Sequence, residues 1–315
     1  MSNLLPQPEA ERCQSQPDAK PEIVSYPSRS ADLGAGLTVT RALPLRQHRM
    51  VGPWCFFDYY GPLSFTDRKA MDVAPHPHIG LQTVSWLFAG EALHNDSLGT
   101  QGLVRPGELN LMTAGCGIAH SEETPPKNSG HLHGLQLWVA LPEAERQRAP
   151  SFDHYRDLPV LEPGGGLAQV FMGELGDAQA HTRAFSPMVG ADLKLSANSR
   201  MRLPLRAAWE HALVVIEGQV SLDGTVLAPL QLHYLGTHRS GLELVGETAV
   251  RAVLIGGAPF GESIVMWWNF VARSADEIRA AREDWEGHRR FGDVKAYQGE
   301  RLKAPAFVAR PVAGR

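Results

Sequence analysis

Short apolar runs, broken every few residues by Gly, Pro, Asn and Asp, dominate the chain from about residue 23 to residue 260. That rhythm predicts strands and turns rather than long helices. Leu81 to Phe88 reads as one strand, closed by a turn at Ala89-Gly90-Glu91. Asn95 to Gly99 reads as a turn, as does Arg105-Pro106-Gly107-Glu108. Leu132 to Val139 reads as a further strand ending before Pro142. A second β block runs from about Leu167 to Ile255. Its segment Ala212 to Gly218 repeats the layout of Val84 to Gly90, an apolar strand followed by glycine. One helix stands out near the C-terminus. Ser274-Ala275-Asp276-Glu277 has the form of a capping box, and Ile278, Ala281 and Trp285 then fall on one helical face. So narrow a stripe predicts a helix lying across the outside of a β unit. Gly287 and Gly292 are its expected stops, and the Arg-rich stretch from Gly287 to Phe291 reads as a solvated helix end. Residues 1–22 carry few large apolar groups and several prolines, so they are expected to be a disordered tail. The fold class predicted from this pattern is all-β with one C-terminal helix.

Alternation also places chemistry. In an extended strand residues i and i+2 share a face. His76 and His78 therefore aim at one point, as do His120 and Glu122. With the two strands side by side, three imidazoles and a carboxylate surround one site. Such donors suit iron, zinc, manganese, nickel or copper, whereas magnesium and calcium prefer oxygen alone. Pro75 and Pro77 stiffen the first segment, and Gly115 and Gly117 allow the sharp turn that delivers His120. If the chain ran unbroken from His76, Gln82, Val84, Trp86 and Phe88 would share the ligand face; one bulge would flip that parity.

Other residues weigh less. In the second His-x-His, His131 and His133, neither is expected to bind the ion. His94 lies beside a turn and reads as exposed. Trp86, Trp138, Trp267 and Trp268 read as core. Cys116 is either a redox-sensitive thiol near the metal or a small filler at a tight turn.

Composition narrows the function classes. The 315 residues suffice for two domains. A net charge of −4 gives no basic excess, so direct nucleic-acid binding is not expected. The three cysteines, Cys13, Cys55 and Cys116, form no CxxC pair, which favours a reducing compartment. No apolar run is long enough for a membrane span, and the first twenty residues lack a signal-peptide core. A cytoplasmic protein without membrane contact is expected.

Longer motifs sharpen this. His76 to Val84, then Pro106-Gly107-Glu108, then Met112 to Glu122, His133 to Trp138 and Gly256 to Phe260 together resemble the pirin family of the cupin superfamily. The resemblance implies a bicupin: two stacked antiparallel β-barrel (jelly-roll) domains. It suggests an N-terminal metal-binding barrel over 23–155, and a C-terminal barrel over 156–315 that has lost its site and carries the helix. The family's metal ligands fall on His76, His78, His120 and Glu122, and its metal is Fe(II). Activity of the quercetin 2,3-dioxygenase type is implied, with a small aromatic substrate and O2, and with Glu122 as the catalytic base. The family's other implied role is a redox-sensing regulator that binds a protein partner. Three positions depart from the pattern. Ile79, Gln82 and Cys116 stand where the family often has Arg, Glu and Arg. These changes alter charge near the presumed entrance, and so bear on substrate preference more than on metal binding.

Overall fold

A computed structural model describes residues 9–15, 22–32, 37–66 and 69–307. Among these, the only α-helix is Ala275–Glu286, and all paired strands run antiparallel apart from one isolated bridge between Ile79 and Phe270. Among the described residues most strands form two β units, each built from one large and one four-stranded sheet, and Glu11–Cys13, Ile264–Trp267 and Phe270–Ala272 form a separate three-stranded sheet. These are open two-sheet sandwiches of cupin type rather than closed barrels.

In the N-terminal unit, the seven-stranded sheet is centred on Leu81–Gly90, His131–Ala140 and Trp54–Ser64. Its four-stranded sheet runs in the order Asp72–His78, Ile118–Glu123, Ala92–Asp96, Gln101–Val104. The chain passes from one sheet to the other at Ile79-Gly80. Gly80 has φ +68, and a Cβ there would lie 2.1 Å from the Val271 carbonyl oxygen, so only glycine fits this corner.

That corner resets the parity expected for the next strand. Val84, Trp86 and Phe88 point away from the histidines, into the large apolar core that joins the two units. Trp86 stacks on Phe171 at 5.0 Å. Trp54 donates its indole N–H toward the carbonyls of both Val189 and Gly256, each 3.1 Å away. The two large sheets are thus fastened together by aromatic packing and shared hydrogen bonds.

Chain order and sheet membership differ at the N-terminus. Val24–Pro27 pairs with Gln231–Gly236 in the C-terminal unit's large sheet, not with the N-terminal unit. Part of the expected disordered tail is also ordered. Glu11–Cys13 pairs with Ile264–Trp267, and Cys13 is fully buried. The backbone hydrogen bonds of a sheet edge and a buried thiol hold this stretch, despite its polar flanks. Residues 1–8 and 16–21 of that tail lie outside the described residues.

The helix begins as its sequence predicts. Ser274 accepts from the Glu277 N–H at 3.2 Å, while the Glu277 carboxylate accepts from the Arg273 N–H at 3.1 Å. Ile278, Ala281 and Trp285 pack on Ala119, Phe270 and Phe291, against the outside of the four-stranded sheet. Among the described residues no helix is long and apolar enough to cross a membrane.

Candidate metal centre

The strands Asp72–His78 and Ile118–Glu123 run antiparallel, with His120 opposite His76 and Ile118 opposite His78. His76, His78 and His120 therefore project from one face. Their ligand atoms all lie within 4.8 Å of one another, and all three side chains are fully buried. Ring centroids are 4.4 to 5.0 Å apart.

Hydrogen bonds orient the rings. His76 donates from Nδ1 to the Ala74 carbonyl at 2.9 Å, and His78 from Nδ1 to the Asn269 carbonyl at 3.0 Å. A carbonyl only accepts, so Nδ1 carries the proton in both and Nε2 keeps its lone pair. The Nε2 atoms of His76, His78 and His120 are all buried, and none has a hydrogen-bond partner. Burial, reinforced in His78 and His120 by the neighbouring imidazoles, holds all three well below the ordinary histidine pKa. They are neutral at pH 7, which is the state that ligates a metal. Three buried, unpartnered ring nitrogens gathered in one place leave polar atoms unsatisfied in an apolar interior, and a shared cation satisfies all of them. Nitrogen donors fit a first-row transition ion, and not magnesium or calcium.

Glu122 stands just outside this trio. It is buried and two residues beyond His120, but its carboxylate does not fall within the 4.8 Å cluster. Between His120 and Glu122 the pairing slips, so that Glu122 faces Val73 on one side and His94 on the other. It lies close enough to Tyr60 that, after burial, its charge is a second cause of the raised pKa of that hydroxyl.

His94 is buried, contrary to expectation, because it lies inside the strand Ala92–Asp96, which takes in the first two residues read as a turn. Its Nδ1 lies 3.2 Å from His120 Nδ1, and its Nε2 lies 3.1 Å from Asp96 Oδ2. Phe152 stacks on its ring at 4.5 Å. The signal was present in the sequence. His94-Asn95-Asp96 has the same alternate spacing as the other two motifs, and alternation puts both side chains on one face.

The remaining candidates fall elsewhere. Gln82 donates to Thr113 Oγ1 at 3.0 Å and to the Arg183 carbonyl at 2.9 Å, which commits its amide away from the histidines. His131 is exposed beside Ser64, and His133 bonds the Tyr59 hydroxyl at 3.1 Å. Trp138 is buried and edge-on to His78 at 5.2 Å, so it is both core and site wall. Cys116 is partly exposed in the turn between Gly115 and Gly117. Arg290 donates to its carbonyl, while Gly287 to Arg290 are exposed as expected of a solvated helix end and only Phe291 is buried.

Comparison with known proteins agrees with this geometry. The family model Pirin matches residues 36–139, and the Pirin C-terminal cupin domain matches 190–292. A Pseudomonas aeruginosa protein, PA1205, whose name carries quercetin 2,3-dioxygenase as a provisional assignment, is 48% identical over 88% of each chain. A pirin-like protein of Caulobacter vibrioides is 38% identical, over 84% of this chain and 93% of its own. The crystal structure of a quercetin 2,3-dioxygenase from Acinetobacter baumannii is 42% identical and superposes with a TM-score of 0.88, covering 91% of this chain and 96% of that one. Matches at both β units and close relatives along most of its length show that this chain belongs to the pirin family.

Proposed function

We propose that His76, His78 and His120, together with Glu122, hold one Fe(II) ion, and that the protein is a dioxygenase acting on a flavonol or a related enol or phenol. The observation that carries this reading is the meeting of three buried, unpartnered imidazole Nε2 atoms. The Acinetobacter baumannii protein, described as a quercetin 2,3-dioxygenase, supports the substrate class.

When bound, the ion supplies Lewis acidity toward an enol oxygen and the means to engage O2. The chain's own residues do the rest. Main-chain carbonyls fix the His76 and His78 rings, so the donors are preorganised. Trp138 and Phe152 wall the site with apolar surface that excludes water. Glu122, buried beside the trio, takes the enol proton as general base, a role that requires it to bind the ion weakly or to move off it. Of the positions that depart from the family pattern, Ile79 and Cys116 shift preference among substrates rather than metal loading, while Gln82 is engaged by Thr113 and the Arg183 carbonyl. The three free thiols accord with a reducing compartment, and we assign the protein to the cytoplasm.

Two measurements test this. Elemental analysis of protein from cells grown without added metal is expected to find iron. Anaerobic Fe(II) loading, followed by quercetin and O2, is expected to bleach the flavonol and release carbon monoxide. A fully loaded protein inert toward a flavonol panel overturns the substrate assignment; a protein that takes up no metal overturns the centre as well.

A further inference from the structure

His120 differs from its two partners in one respect. Main-chain carbonyls set the tautomers of His76 and His78, but His120 Nδ1 meets another imidazole, His94 Nδ1, at 3.2 Å. An imidazole nitrogen either donates or accepts, so this contact alone leaves the His120 tautomer undecided.

Asp96 decides it. This buried residue accepts at Oδ1 from the N–H groups of Leu98 and Thr100, each at 2.9 Å. Its Oδ2 lies 3.1 Å from His94 Nε2. A carboxylate only accepts, so the proton of a neutral His94 sits on Nε2. His94 Nδ1 is then a lone pair and accepts from His120 Nδ1. That leaves His120 Nε2 without a proton, pointing into the cluster it shares with His76 and His78. With His94 neutral, reversing any one link places two N–H groups, or two lone pairs, against each other.

We propose that Asp96, acting through His94, is a positioning device that sets the tautomer of His120 and so completes the donor set. This inference rests on the metal centre proposed above and adds two residues to it. Neither Asp96 nor His94 touches the ion or the substrate; both act through His120. Partners of this kind keep a ligand's ring oriented and its lone pair available.

The test uses the full chain, stripped with a chelator and titrated with Co(II), whose visible absorption reports both affinity and ligand geometry. Asp96→Asn keeps the shape and the Oδ1 bonds to the turn, but sets an amide N–H against His94 Nε2–H. Both rings are then driven to the opposite tautomer. Co(II) affinity is expected to fall about 10- to 100-fold, with an altered band shape. His94→Leu is expected to do the same. His94→Gln offers an amide oxygen to His120 and an amide N–H to Asp96, and is expected to restore most of the affinity and the wild-type spectrum. Thermal unfolding of each stripped variant reports fold integrity; should Asp96→Asn not fold, the contrast between His94→Gln and His94→Leu decides alone.

His76→Ala separates the two proposals. If it abolishes Co(II) binding while Asp96→Asn binds like wild type, or while His94→Gln is as weak as His94→Leu, the relay is overturned and the centre stands. If wild type binds no Co(II), or His76→Ala binds as well as wild type, the centre falls and the relay falls with it.

Discussion

His120 faces His76 directly across an antiparallel register, and the two rings stand 4.4 Å apart. Neither side chain reaches solvent. Two neutral imidazoles so placed are complementary to a cation and to little else. Metal should therefore contribute to folding stability. A ligand at about 100 times its Kd adds about 2.7 kcal/mol. Chelation is expected to lower the melting temperature of the wild-type protein and to leave that of His76→Ala unchanged. Equal shifts in both proteins would show that the chelator acts elsewhere.

Acid should destabilise the fold through histidines remote from the centre. His48 and His211 are buried, and burial lowers the pKa of each to about 4. Above pH about 6.5 each is neutral both folded and unfolded. Below that, the unfolded chain takes up a proton that the fold refuses, so stability is lost down to pH about 4. The loss is about 2 kcal/mol per residue between pH about 7 and about 5. Urea midpoints across this range are expected to fall less steeply in His48→Leu than in wild type.

The Arg41–Asp58 pair is buried and bidentate, with both contacts at 2.6 Å. Arg41 stacks on Phe56 at 4.4 Å, and Phe56 stacks on Trp138, the residue edge-on to His78. Removing one partner strands a buried charge. Arg41→Met is expected to cost about 3–5 kcal/mol by urea unfolding. Adding Asp58→Leu is expected to recover much of that cost, because no charge is then left unpaired.

Ser274→Ala is expected to cost about 1 kcal/mol through loss of the helix cap. The helix packs on Ala119, outside the sheet that carries the histidines. Metal stoichiometry should therefore be unchanged while the melting temperature falls.

The thiols should separate by exposure. Burial pushes Cys13 up to about 12 and Cys55 well above its ordinary value, whereas Cys116 is partly exposed. A chromogenic thiol reagent is expected to report one reactive group in the native protein and all three in denaturant.

Much of this molecule follows from local rules of the chain. Strand and turn punctuation predicts the all-β class, and the capping residues and apolar stripe locate the single helix. The site is legible for a related reason. His76, His78 and His120 sit on two strands whose alternation is regular up to His120, so residue spacing becomes direction. What depends on partners distant in sequence is decided only by the tertiary structure. Gly80 turns the chain into a second sheet, which points Trp86 toward the C-terminal unit instead of the histidines. Strand pairing, not position along the chain, assigns Val24–Pro27 to the C-terminal sheet and Glu11–Cys13 to its place beside Ile264–Trp267. His94 joins the site because the register of Ala92–Asp96 against Ile118–Glu123 sets its ring on His120. The sequence by itself determined which residues alternate; cross-strand register, a property of two segments at once, decided which of those faces meet.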